Sequence, residues 1–136
     1  MVRVLCVEDD PLVRTYLATR LALERDLEVA AVVGTAPEAL AYLAAHPVDV
    51  VLLDYVLENS PDGMQLLGAI LARRAEQGSR TPRVLFCTGM ADLDFERRAR
   101  AAGADGVLAK NRMADDLTTA VRAVASGACW FSPKGV

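Results

Sequence analysis

Five polar residues in this 136-residue chain stand where their types could do phosphoryl chemistry: Glu8, Asp9, Asp54, Thr88 and Lys110. Each lies within two residues of the end of a short apolar run. Clustered carboxylates repel one another unless protons or a cation neutralise them. A hard divalent ion such as Mg2+ suits two carboxylates, a backbone carbonyl and waters. A lysine nearby offsets the remaining negative charge and can hold a phosphoryl oxygen. A threonine hydroxyl can reach another such oxygen, and a carboxylate in such company is a nucleophile for in-line phosphoryl transfer. Taken singly, each residue has a plainer reading. Asp54 alone is equally a strand-ending acceptor of turn hydrogen bonds; Glu8-Asp9 alone marks a helix start, Lys110 a solvated loop, Thr88 a cap or turn. Joint placement must carry the signal, so the elements that position these residues decide.

The stretch Val48-Asp49-Val50-Val51-Leu52-Leu53-Asp54 runs four aliphatic residues into a carboxylate. A strand apolar on both faces belongs inside a parallel sheet covered by helices, and such sheets place ligand sites at their carboxyl edge. Around it the pattern alternates. A strand over 2–7 precedes a helix to about Glu24, with Asp10 as cap, Pro11 at its first position and Leu12, Val13, Tyr16, Leu17, Leu21 and Leu23 as its apolar row. A strand over 28–33 precedes a helix opened by a Thr35/Glu38 capping box and ending near Ala45. After Asp54, Ser60-Pro61 offers a second cap-plus-proline start, and Leu66, Leu67, Ile70 and Leu71 stripe the third helix. A strand over 83–87, a charge-rich helix over 91–102, a strand over 106–109 and a helix striped by Leu117, Val121 and Val124 complete five βα units. Such alternation predicts an α/β fold: one doubly wound parallel sheet with right-handed crossovers and helices on both faces. Strand one then delivers Glu8 and Asp9 to the carboxyl edge, strand three Asp54, strand four Thr88 and strand five Lys110.

Composition bounds the rest. The 53% hydrophobic, 24% charged content fits a single folded domain, and a net charge of -3 argues against this segment gripping nucleic acid itself. Cys6, Cys87 and Cys129 fit neither a zinc site nor a disulfide framework; the first two sit in apolar runs. No signal-peptide pattern or bilayer-length apolar run is present, so the cytoplasm is the expected location. His46, beside Pro47, is read as an exposed loop residue rather than a phosphorelay histidine.

At these residues the chain resembles the receiver domain of bacterial two-component response regulators. The likeness rests on Val7-Glu8-Asp9-Asp10-Pro11, on Asp54 after Val-Val-Leu-Leu, on Thr88 after strand four and on Lys110 after Gly-Val-Leu-Ala. It implies a flavodoxin-like, five-stranded sheet in the order 2-1-3-4-5 with five helices. It also implies that Asp54 accepts a phosphoryl group from a sensor histidine kinase. Mg2+ would be bound by Asp9, Asp54 and the Val56 carbonyl, with Glu8 holding a metal-bound water. Thr88 and Lys110 would contact the phosphoryl oxygens, and the α4-β5-α5 surface would carry the output. Residues 1–128 would be the receiver and 129–136 the start of a linker or tail. The passage Arg122-Ala123-Val124-Ala125-Ser126-Gly127, then Trp130-Phe131-Ser132-Pro133, is similar to the NarL/FixJ class. That class implies transcription control through a LuxR-type DNA-binding domain, here not reached before Val136, and homodimerisation on phosphorylation. No membrane contact is implied.

Two departures from the family pattern stand out. The loop from Tyr55 to Gly63 is one residue longer than usual, and Val107 replaces the tyrosine or phenylalanine whose rotation usually accompanies phosphorylation. Two rival readings need a residue this chain lacks or should have lost residues it keeps. A haloacid-dehalogenase-like, Mg2+-dependent aspartyl-phosphate phosphatase needs a second aspartate two residues after its nucleophile, where this chain has Val56. A non-phosphorylated docking module would lack part of the acid set or the lysine. The expectation is therefore a phosphoacceptor and not an enzyme, with at most slow self-dephosphorylation.

Overall fold

Val50, Val51, Leu52 and Leu53 are all but inaccessible, at 0–1% exposure, as a run apolar on both faces requires. They form β3 (Val50–Leu53), the central strand of five in a computed structural model that describes residues 1–57 and 62–131. The others are β1 (Val2–Val7), β2 (Leu27–Val33), β4 (Arg83–Thr88) and β5 (Gly106–Ala109). All pairings are parallel and the order is β2-β1-β3-β4-β5. Five helices alternate with them: α1 (Pro11–Ala22), α2 (Ala36–Ala45), α3 (Gly63–Gln77), α4 (Leu93–Ala101) and α5 (Met113–Ala125).

Strand alternation splits the core into two layers. Leu5, Val7, Val51, Leu53, Val84, Phe86 and Val107 face α2, α3 and α4. Val4, Cys6, Val50, Leu52, Leu85, Cys87 and Leu108 face α1 and α5. Cys6 and Cys87 are buried as expected, and burial pushes both thiols up to about 12.

Several boundaries move. Leu12 and Leu23 do not join the apolar row of α1; they are 82% and 70% exposed. The row that meets the sheet is set by Leu17 and Leu21; Leu12 is one step around the first turn, and Leu23 lies past the last. α4 starts at Leu93 because the Asp92 carboxylate accepts from Phe95 N–H at 2.7 Å. The expected start of α3 at Ser60-Pro61 lies outside the described residues; the helix is capped by Asp62, whose carboxylate accepts from Gln65 N–H at 3.0 Å. The α1 cap and the Thr35/Glu38 pair are as expected: Asp10 accepts from Leu12 N–H at 2.9 Å and Thr35 from Glu38 N–H at 3.3 Å. His46 is exposed and its ring stacks on Tyr42.

Candidate functional site

Because β1, β3, β4 and β5 are parallel and adjacent, their carboxyl ends open on one edge. The hydrogen-bond ladder continues one residue beyond β1 and β3. Glu8 N–H donates to Val33 O at 2.9 Å and Asp54 N–H to Val7 O at 3.1 Å. Both carboxylates are thereby fixed at their roots. Lys110 reaches across from the end of β5, and its Nζ donates to Glu8 Oε1 at 2.9 Å and to Asp54 Oδ2 at 3.0 Å. One ammonium thus bridges two acids 102 and 56 positions away in sequence. Asp9 completes an acidic cluster: Glu8, Asp9 and Asp54 each offer a carboxylate oxygen, all within 4.8 Å of one another.

Burial sharpens the electrostatics. Glu8 and Asp54 are 2% and 7% exposed. Burial, with the adjoining Asp54 carboxylate, raises the Glu8 carboxyl to about 7 against the pull of Lys110. Burial acts to lower the Lys110 ammonium, but its bonds to the two acids win and move it upward. Folded Glu8 therefore holds a proton that unfolded Glu8 has lost between about 4.5 and about 7. More protons bound in the folded state means that this contribution is full below the lower value, falls as pH rises and is gone above the upper one. In chelator-treated protein, Glu8→Gln is expected to flatten this decline. Urea titrations across the window read it, and an unaltered slope would assign the proton elsewhere.

Thr88 ends β4, is buried, and its hydroxyl oxygen accepts from Met90 N–H at 3.1 Å. That bond leaves the hydroxyl hydrogen available to donate. Thr88 is thus beside the cluster, but tied to the loop before α4. Val56, two residues past Asp54, has an exposed side chain, and the lengthened part of its loop, residues 58–61, lies outside the described residues.

The comparisons with known proteins agree with this geometry. The family described as "Response regulator receiver domain" matches residues 4–122. This chain belongs to that family. UhpA of Escherichia coli, a transcriptional regulatory protein, is 34% identical over 135 residues, covering 98% of this chain and 63% of UhpA. The signal receiver domain of a NarL response regulator from Mycobacterium tuberculosis superposes with a TM-score of 0.81 at 30% identity, covering 93% of this chain and 97% of that one. A LuxR-family two-component response regulator from Aurantimonas gives 0.80 at 29% identity, covering 98% and 91%. The chain spans 58% to 63% of the length of the first curated relatives it matches. The flavodoxin-like strand order is the one these receivers share.

Two residues of this receiver domain matter to the site without carrying a chemical group. Gly63, at the start of α3, lies so near the end of β3 that a Cβ there would sit 2.5 Å from Asp54 O and 2.8 Å from Tyr55 Cα. Its N–H donates to Tyr55 O at 2.8 Å. Tyr55 follows Asp54 directly, and its ring meets Phe95 of α4 edge-on at 5.1 Å. A glycine soon after the acidic residue was visible in sequence; its backbone contact was not. Val107 is buried against the α2–α3–α4 side, where an aromatic ring would stand in many receivers.

Among the described residues no helix is long and apolar enough to cross a membrane.

Proposed function

We propose that Asp54 accepts a phosphoryl group from a sensor histidine kinase in the cytoplasm and that the domain signals in that state. The observation that carries this is the Lys110 ammonium bonded to both Glu8 and Asp54, with Asp9 in the same acidic cluster. The donor set of buried and half-buried carboxylates is that of a hard divalent cation. Asp9, Asp54 and the Val56 carbonyl would hold Mg2+, with Glu8 acting through a water. When bound, the ion supplies charge neutralisation to the phosphoryl oxygens.

The chain's own residues do the rest. An Asp54 oxygen forms a P–O bond while the P–N bond of the donor's phosphohistidine breaks, its electron pair returning to the imidazole. Lys110 is already within hydrogen-bond distance of Asp54 and meets the added negative charge. Thr88 has a free hydroxyl hydrogen to offer a phosphoryl oxygen. Val56 supplies no acid or base to an attacking water, so the acyl phosphate persists and self-dephosphorylation is slow. The α4-β5-α5 surface then carries the output: homodimerisation, and transcription control through a DNA-binding domain outside this chain. The relatives named as transcriptional regulators support that last step.

Incubation with acetyl phosphate and Mg2+, followed by intact-mass measurement, tests the reading. One added phosphoryl group is expected on the native chain, and none on Asp54→Asn or in excess EDTA. Equal addition to Asp54→Asn, or no addition to the native chain, would sink it.

A further inference from the structure

After α5 the chain returns to the open edge of the sheet. Trp130 N–H donates to Asp105 O at 3.0 Å and Val107 N–H donates to Trp130 O at 2.8 Å, a parallel bridge between Gly106 and Trp130. The approach is possible because residue 106 is glycine: a Cβ there would lie 2.6 Å from Trp130 O and 3.0 Å from Trp130 Cβ. The two rings then part. Trp130 packs with the core layer under α1 and α5, and Phe131 with the layer under α2, α3 and α4. The Arg100 guanidinium of α4 sits 4.0 Å from the centre of the Phe131 ring. The segment therefore straddles the edge, clipped to β5 by backbone and to α4 by a cation–π contact.

α4 also touches the residue that follows Asp54. Tyr55 meets Phe95, and Arg98 lies over both rings at 5.8 and 5.7 Å. The loop leading into α4 is held by the Met90 N–H bond to the Thr88 hydroxyl. A turn of Thr88 toward a phosphoryl oxygen that carried its hydroxyl away from Met90 would give up that bond and free the loop.

We propose that Cys129–Phe131 is the output reader of this receiver, an edge clip held by Gly106, Val107 and Arg100 that loosens when α4 shifts on phosphorylation of Asp54. The inference rests on the proposed role of Asp54. It assigns to the Val107 backbone the readout that an aromatic side chain performs in other receivers. Two backbone hydrogen bonds, one cation–π contact and the partial burial of two rings at a sheet edge make a local hold that a local rearrangement can undo.

Trp130 is the only tryptophan in the chain, so its fluorescence reads the clip directly. The experiment measures emission and acrylamide quenching of the whole 136-residue chain before and after acetyl phosphate and Mg2+, with intact mass recorded on the same samples. Phosphorylated protein is expected to show a red shift and stronger quenching, and Asp54→Asn no change. Arg100→Gln, at an exposed position, is expected to raise the released fraction of unphosphorylated protein about two- to five-fold, the size of one exposed cation–π contact. Gly106→Ala is expected to release the clip outright; because its Cβ also crowds Leu85, the exposed Arg100 variant guards against misfolding. Added mass with unchanged Trp130 signals overturns the clip and leaves the Asp54 reading standing. Wild-type quenching in unphosphorylated Arg100→Gln also overturns the clip. No added mass overturns both.

Discussion

Lys110→Ala is expected to slow phosphoryl transfer from acetyl phosphate to Asp54 by about 10²–10³-fold, the effect of removing one preorganised charge-stabilising donor. The Nζ is 3.0 Å from Asp54 Oδ2 before any phosphoryl group arrives, so it needs little reorganisation to meet the charge that develops there. Its second bond, to Glu8 at 2.9 Å, fixes it against the alternative of swinging into solvent. Lys110→Arg should recover only part of the rate, because a planar fork cannot take the place of a compact ammonium between two carboxylates. An intact-mass time course decides, and incorporation into Lys110→Ala at the native rate would remove the lysine from the chemistry.

The same substitution has a stability signature of definite sign. With the ammonium gone, buried Glu8 faces Asp54 without compensation. Breaking a buried pair by removing one partner costs about 3–5 kcal/mol; the Lys110 side chain is 25% exposed, so water reduces that to about 1–2 kcal/mol. The cost should be largest above about pH 7, where Glu8 is ionised, and should shrink toward about pH 5 as Glu8 takes up its proton. A cost independent of pH would mean that Lys110 is held by packing of its stem.

The sheet was legible in sequence because burial on both faces leaves an unbroken aliphatic run, and Val50 to Leu53 can hardly be read otherwise. The acid–lysine cluster was legible because it depends only on which residue follows each strand; parallel order then brings 8, 54 and 110 together. Side-chain direction was less legible. Leu12 and Leu23 look like core by type, and only their places, around the first turn of α1 and past its last, expose them. At the start of α3 two capping signals stand within four residues, Ser60-Pro61 and Asp62-Gly63; the first lies outside the described residues and Asp62 caps the helix. Trp130 and Phe131 read as the start of a linker, since a single bridge at a sheet edge has no periodicity to reveal it. Gly63 and Gly106 share that blindness. What they permit is a backbone approach, and a sequence shows only the missing side chain.

Gly63→Ala is expected to destabilise the domain by about 3 kcal/mol, the upper range for forcing a methyl into filled space. At this chain length that lowers Tm by roughly 10 °C. The argument is one of hardness. The nearest atoms to the new Cβ are backbone, Asp54 O at 2.5 Å and Tyr55 Cα at 2.8 Å, with Phe86 Cε1 at 3.0 Å behind them. No rotamer change can clear backbone, so the start of α3 must retreat from the end of β3 and the 2.8 Å bond from Gly63 N–H to Tyr55 O must lengthen. Asp54 then loses its fixed distance to Lys110, and phosphoryl incorporation should fall with stability. Gly68 supplies the control within the same helix. Its Cβ would meet nothing within 4 Å, so Gly68→Ala should instead stabilise by about 0.5–1 kcal/mol through helix propensity alone. Thermal melts of the two variants should therefore move in opposite directions. If both rise, α3 is free to step back from Asp54, and Asp54 is held by its strand and by Lys110 without help from Gly63.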